Sequence, residues 1–254
     1  MNILVFAKMV PDLVEELSVD SSGARLDLDF ARFIISEFDE HAIEQAILLK
    51  EEHGGSVTVV GFDDEGIDDV LYTSAAKGAD HLIKLPGISA AHLGNHLLAR
   101  IGQKLVTELH PDLILTGVQA HNDLDGSLGV LLAGIVSVPY VGYVSGVALK
   151  DEKLTIRKEY PGGLIAELEA APPIVLGIQS AAKPPRYVAV SKVRQAMKTA
   201  TIEEREAAVP EAVETALVSK MYKPDSKEHA TMLGGTPDEV AGKLVGIFKE
   251  LGVL

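Results

Sequence analysis

Asp112-Leu113-Ile114-Leu115-Thr116-Gly117-Val118-Gln119-Ala120-His121-Asn122-Asp123-Leu124-Asp125-Gly126-Ser127-Leu128-Gly129 passes from an apolar run, through a polar loop flanked by glycines, into a second apolar segment. Asp112 to Thr116 reads as a buried strand, because a short continuous apolar run between turn residues suits a strand covered on both faces. Asp125 to Val136 reads as a helix. A strand that feeds directly into a helix is the unit of a parallel α/β sheet. Upstream the same alternation repeats. Ile3 to Ala7, Ser56 to Gly61 and His81 to Leu85 read as strands. Asp39 to Glu52, Gly66 to Lys77 and Ala90 to Leu109 read as helices, the last with Leu93, Leu97, Leu98, Ile101, Leu105 and Leu109 at helical spacing.

Downstream of Pro139 the texture changes. Tyr143 to Leu149, Leu154 to Glu159, Leu164 to Glu169 and Ile174 to Gly177 are short strand-like runs, with Asp151-Glu152 and Pro161-Gly162-Gly163 as turn signals between them. A second hairpin is expected at Glu16 to Leu28, turning near Ser21-Ser22-Gly23. Pro184-Pro185, Pro210 and Pro224 punctuate the remainder. A last amphipathic helix is predicted from Thr236 to about Leu251, with Thr236 and Glu239 as a capping box and Pro237 at its first position. The expected fold is α/β: an open, mostly parallel sheet with helices on both faces, Rossmann-like, which the family resemblance described below makes one of the adenine nucleotide alpha hydrolase type. A β-hairpin extension and a C-terminal arm with a terminal helix complete it. The expected division is an α/β domain over 1–190 and an arm over 191–254, which the family resemblance described below makes a nucleotide-binding domain and an arm that packs on a partner subunit.

Composition narrows the functions. The chain has 254 residues, of which 47% are hydrophobic and only 5% aromatic, so its core must be aliphatic. Lys+Arg 23 against Asp+Glu 37 gives a net charge of -14, which repels phosphate backbones and argues against nucleic acid as a partner. The absence of cysteine excludes disulfides, thiolate metal sites and Cys nucleophiles. Met1 leads straight into an apolar run without a basic n-region, and no run is long enough to cross a bilayer. Neither a signal peptide nor direct membrane insertion is expected, and a cytoplasmic location is.

No G-x-G-x-x-G follows the first strand, and no Walker A, H-E-x-x-H, EF-hand or G-x-S-x-G motif occurs. His92 and His96 have the i, i+4 spacing of metal ligands on a helix, but no third ligand is evident and a solvated face explains them better. In the Gly117–Gly129 loop, glycine allows close backbone approach, and the free N–H groups at the helix start suit a phosphate. Asp123 and Asp125 would cap the helix or take ribose hydroxyls. An ordinary strand-to-helix loop is the competing reading. Lys183, Arg186, Lys192, Arg194 and Lys198 form a basic island, with no acidic residue between Ala170 and Ile202. On so acidic a chain that island points to an anionic ligand or an acidic partner.

Five segments in register resemble the beta subunits of electron transfer flavoproteins. They are the Ile3–Asp12 strand and turn, Phe38-Asp39-Glu40-His41-Ala42-Ile43-Glu44-Gln45-Ala46, Gly78-Ala79-Asp80, Pro111–Ala120, and Pro185-Arg186-Tyr187. The resemblance implies pairing with an alpha subunit that holds most of an FAD. It also implies AMP, or a second FAD in bifurcating members, in this chain's own crevice. Electrons would pass from dehydrogenases, or from NADH in bifurcating types, to a downstream acceptor. By position, Phe6, Ser36, Glu37, Phe38, Asp39 and Phe62 would line the nucleotide pocket. Gly117, Val118, Gln119, Ala120, Asn122, Asp123, Asp125, Gly126, Ser127 and Leu128 would hold phosphate and ribose. Ala182, Lys183, Pro185, Arg186 and Tyr187 would form the docking loop for partner dehydrogenases. Three departures accompany the match. Pro161 stands where the family often has Asp, Ala182 where it has an anchoring Leu, and Leu128 where AMP-binding members often have a polar residue. The Ala182 departure implies a different or weaker redox partner. Two other functions remain open on the residues alone: a nucleotide sensor of the universal-stress type without redox activity, and a hydrolase using His121 and Asp123.

Overall fold

In a computed structural model, residues 1–124, 126–208, 218–223 and 230–254 are described. The first element, β1 (Asn2–Ala7), shows why the sheet lies in the middle of the molecule. Its side chains alternate between two core layers. Ile3, Val5 and Ala7 join Ile43, Ile47, Val57 and Val59 on one face, while Leu4 and Phe6 join Val60, Phe62, Leu98 and Leu132 on the other. A strand buried on both faces needs an uninterrupted apolar run, and this one has it. Each such Leu or Ile contributes roughly 1.5–3 kcal/mol by leaving water.

Along the chain, β2 (Met9–Pro11) and β3 (Phe33–Ile35) form a small antiparallel pair. Then follow α1 (Glu37–His53), β4 (Ser56–Phe62), α2 (Ile67–Lys77), β5 (His81–Leu85), α3 (Asn95–Leu109), β6 (Leu113–Gly117) and α4 (Leu128–Val136). Next come β7 (Tyr140–Lys150), β8 (Lys153–Tyr160), β9 (Leu164–Ala170) and β10 (Ile174–Ile178). The final described elements are α5 (Val190–Thr199), β11 (Ile202–Glu204) and α6 (Pro237–Glu250). Among the described residues the large sheet has nine strands in the order β11-β5-β4-β1-β6-β10-β7-β8-β9. Its strands are parallel from β11 to β7, and β8 and β9 are antiparallel additions. The mixed α/β architecture with helices on both faces agrees with the sequence reading.

The order positions the site. From β1 the chain builds outward through β4 to β5, then crosses back over β1 to lay β6 on its other side. Ligands of open α/β sheets bind at this reversal, beyond the carboxyl ends of the strands. Here those ends are Ala7-Lys8 and Gly117.

Several local expectations are adjusted. The helix expected from Ala90 begins at Asn95, because Asp64 on the neighbouring loop takes the N–H of Ala90 at 2.8 Å and the hydroxyl of Ser89, fixing that segment in a non-helical turn. His92 therefore lies outside α3, and the i, i+4 pair with His96 does not share a helix. Among the described residues no group of His, Cys, Asp and Glu could hold a metal ion, and no helix is long and apolar enough to cross a membrane. The Glu16–Leu28 hairpin is reduced to its tip, a single Val19–Leu26 bridge closed by Asp20 N–H to Arg25 O at 2.9 Å. Asp151 and Glu152 both take positive φ, 50° and 63°, the pattern of a tight two-residue hairpin turn between β7 and β8. Past residue 190, α5 packs on α2 and β11 pairs with β5, so the sheet continues beyond that point.

Candidate functional site

Asp39, in the first turn of α1, bridges the reversal point. Its Oδ2 accepts the N–H of Lys8 at 3.0 Å, and its Oδ1 accepts the N–H of Gly117 at 2.6 Å. One carboxylate thus ties the tip of β1 to the tip of β6. Gly117 is required there: a Cβ would stand 2.6 Å from Asp39 Oδ1 and 2.8 Å from Phe38 Cβ. Burial pushes the Asp39 carboxyl up to about 6. The nearby Lys8 charge and the two backbone N–H groups oppose that rise, and Asp123 adds to it.

Lys8 turns its side chain into the loop. Its Nζ donates to Asp123 Oδ1 at 2.7 Å and to Asn95 Oδ1 at 3.3 Å. The other oxygen of Asp123 accepts the N–H of Ala120 at 2.8 Å, and Asn95 Nδ2 donates to the carbonyl of Gly126 at 2.8 Å. Side chains from β1's end and α3 therefore set the shape of the β6–α4 loop. Asp123 is fully engaged in this bracket. No hydrogen bond joins it to His121 among the described residues, so the pairing that a hydrolase would need is not formed. Asp125 lies outside the described residues.

The bracketed loop opens on a pocket of about 460 Å³ lined by Val118, Gln119, Ala120, Asp123, Gly126 and Ser127, with Tyr140, Tyr143 and Lys158 across from them. Ser127 is the N-cap residue of α4, yet its side chain makes no cap hydrogen bond, and no acidic residue occupies the first turn. The Tyr140 phenol lies across the pocket from it; burial raises the phenol's pKa and the nearby Ser127 side chain lowers it. The first N–H groups of α4 lack intrahelical acceptors, as at every helix start, and carry the positive end of its dipole. Asn122 Oδ1 is buried with no hydrogen-bond partner among the described residues.

The other expected residues are distributed as follows. Phe6 and Phe62 stack on each other in the core with ring centroids 6.2 Å apart, so those positions offer a ligand only their backbone. Ser36 is buried beside Lys8, its N–H donating to the Lys8 carbonyl at 2.9 Å. Glu37 is exposed and Phe38 half-buried. Leu128 faces the core. Of the loop residues expected at the nucleotide, Val118, Gln119, Ala120, Asp123, Gly126 and Ser127 are brought together around one pocket, while Gly117, Asn122 and Leu128 do not line it. Sequence reasoning missed Lys8, Asn95, Tyr140 and Lys158. Lys8 was visible as a lone cation after a buried strand, but its partner lies 115 residues away.

Comparison with known proteins adds to this geometry. Residues 28–210 match the electron transfer flavoprotein domain. The chain is 31% identical to the electron transfer flavoprotein subunit beta of Methylophilus methylotrophus, with 98% of each chain covered. It is 26% identical to the Bacillus subtilis (strain 168) beta subunit over 98% of each chain, and 28% identical to that of Homo sapiens over 99% of this chain and 98% of that one. The chain belongs to the electron transfer flavoprotein beta-subunit family. Nothing in these comparisons favours the universal-stress reading.

In this beta subunit the Ala181–Tyr187 segment is laid along α1. Ala181 N–H donates to His41 Nδ1 at 3.1 Å, and Ala182 N–H to Gln45 Oε1 at 2.9 Å. Arg186 binds Glu44 through its backbone N–H at 3.0 Å and its Nε at 2.7 Å, and clasps Glu51 with both terminal nitrogens. Its guanidinium is held well above the ordinary arginine range by those carboxylates, Glu51 first. Arg186 is thus an internal anchor of the loop. Ala182, Lys183 and Tyr187 remain exposed, Pro185 is half-buried, and Lys192, Arg194 and Lys198 project from α5. At the far end, α6 carries the capping box read from the sequence, and none of its residues is buried.

Proposed function

We propose that this beta subunit holds AMP at the loop between β6 and α4, shares an FAD with an alpha subunit, and passes electrons between dehydrogenases and a downstream acceptor. In this reading the pair works in the cytoplasm. The observation that carries the nucleotide assignment is the start of α4. Its cap residue Ser127 and the preceding Gly126 line a pocket at the sheet's reversal point, the Ser127 side chain makes no cap bond to it, and no carboxylate sits in its first turn. A phosphate satisfies the first N–H groups of the helix and complements the dipole. About 460 Å³ falls within the range of roughly 300–1,000 Å³ typical of small-molecule sites and suits a mononucleotide better than a flavin dinucleotide.

The flavin supplies the electron chemistry when bound, and the protein binds, orients and shields it. The chain's own contribution to pairing is apolar surface. Along α6, Val240, Leu244, Ile247, Phe248 and Leu251 recur at helical spacing, and no residue of the helix is buried by its own chain. In this reading the arm that ends in α6 packs on the alpha subunit, and the exposed Ala182–Tyr187 loop meets the dehydrogenase.

Cofactor analysis of the pair co-expressed with its alpha subunit tests the proposal. Acid extraction should release one FAD and one AMP per pair. Two FADs would assign the chain to the bifurcating type. A preparation without adenine nucleotide, or a chain that stays apart from the alpha subunit, would overturn the proposal.

A further inference from the structure

We infer that the Lys8–Asp123 ion pair sets how strongly this site prefers a phosphorylated nucleoside over a bare one; the inference rests on the adenine-nucleotide reading above. The pair is buried, with 7% of the Lys8 side chain and 11% of that of Asp123 exposed, and its charges are 2.7 Å apart. Asp123 lines the same pocket as Gly126 and Ser127, at the start of α4 where a phosphate would sit. A carboxylate beside a phosphate site would oppose the ligand's charge if it stood alone, and Lys8 cancels it. Conversely, Lys8 would be a free cation aimed at the loop if Asp123 did not hold it. The pair is therefore a matched set whose halves act in opposite directions on an anionic ligand and equally little on a neutral one.

The surroundings make the pair separable from the loop's shape. Ala120 N–H bonds the second oxygen of Asp123, and an asparagine at 123 keeps that acceptor while losing the charge. Asn95 holds Gly126 through its Nδ2, an atom other than the Oδ1 that accepts from Lys8. Lys158, which lines the pocket where Lys8 does not, lies over the Tyr143 and Tyr160 rings and is unchanged in every variant below. Asp39 keeps its backbone N–H partners in every variant, while its carboxyl pKa, pushed up by burial, lowered by Lys8 and raised by Asp123, moves with the pair. Lys8 and Asp123 are positioning and charge-setting residues here, and the phosphate itself is left to backbone amides.

Calorimetric titration of the full-length, nucleotide-stripped protein with AMP and with adenosine reads the preference directly. Lys8→Met should weaken AMP by about tenfold or more while leaving adenosine within about threefold. Asp123→Asn should shift the AMP-to-adenosine preference the other way, toward AMP. The double variant, which replaces an ion pair by a neutral pair, should return the preference to about that of the wild type. Lys8→Arg, which keeps the charge, should leave it unchanged. If AMP and adenosine lose affinity together in every variant, the pair only shapes the loop and the inference fails. If the wild-type protein binds neither ligand, the nucleotide reading itself falls and takes this inference with it.

Discussion

At Asp39 a single buried carboxylate accepts two backbone N–H groups from different strands and is flanked by one cation and one further anion. Desolvation dominates, so its folded-state pKa, near 6, lies above the ordinary value of 3.8. The direction of the pH effect follows. As pH falls through 6, the folded protein takes up a proton at this site before the unfolded chain does, so this group favours the fold increasingly between pH 6 and 4. The contribution is lost as pH rises through the folded pKa. Asp39→Asn removes the titration, leaves one of the two N–H groups without an acceptor and should cost about 1–3 kcal/mol near neutral pH. Wild type should then gain about 1 kcal/mol on this variant between pH 7 and pH 5, measured by urea unfolding at each pH. A pH-independent difference would show that the carboxylate titrates normally.

Among the elements, the Ala181–Tyr187 segment and α1 depend on one another. Glu44 is buried in α1, and its charge is met by Arg186. Arg186→Met would strand that carboxylate, a loss of about 2–3 kcal/mol after allowing for the partly exposed guanidinium. Amide hydrogen exchange at Ala181, Ala182 and Arg186 should accelerate together, while exchange in β1 and β6 should slow or quicken only with global stability. Unchanged protection at those three amides would separate the loop from its anchor. The same elements show what the sequence made legible. Strands such as Ile3–Ala7 and Leu113–Gly117 are visible because burial on both faces demands unbroken apolar runs. The hairpin turns are visible because Asp151, Glu152, Gly162 and Gly163 adopt positive φ. The three-residue strands β2, β3 and β11 are too short to show a period. The role of Arg186 was hidden for another reason. A basic residue beside two prolines reads as exposed, and its carboxylate partners are 142 and 135 positions away. The site was legible in the same uneven way. Glycines and Asx residues marked the loop, but the Lys8, Asn95 and Tyr140 contacts that shape it exist only once the sheet has brought them together.

For the whole molecule, the question is where the remaining apolar surface goes. The body satisfies its own core, with both faces of the sheet covered. α6 does not: it is capped at its start by Thr236 and Glu239, yet Leu244, Val245, Ile247 and Phe248 are each at least 38% exposed. An isolated fourteen-residue helix is marginal in water, so its stability must be supplied by tertiary packing of that stripe. In the function proposed above, an alpha subunit is the packing partner. Phe248→Glu should therefore leave the thermal unfolding of the isolated beta subunit within about 0.5 kcal/mol, as for a surface change. In the pair it would place a charge in an apolar contact and remove an aromatic anchor, weakening association by at least about 2 kcal/mol, roughly thirtyfold in Kd. Sedimentation or calorimetric titration with the alpha subunit reads the second quantity, and differential scanning calorimetry the first. A variant that assembles normally would show that α6 serves some surface other than this partner. A variant that unfolds early on its own would show that α6 already packs on the body of its own chain.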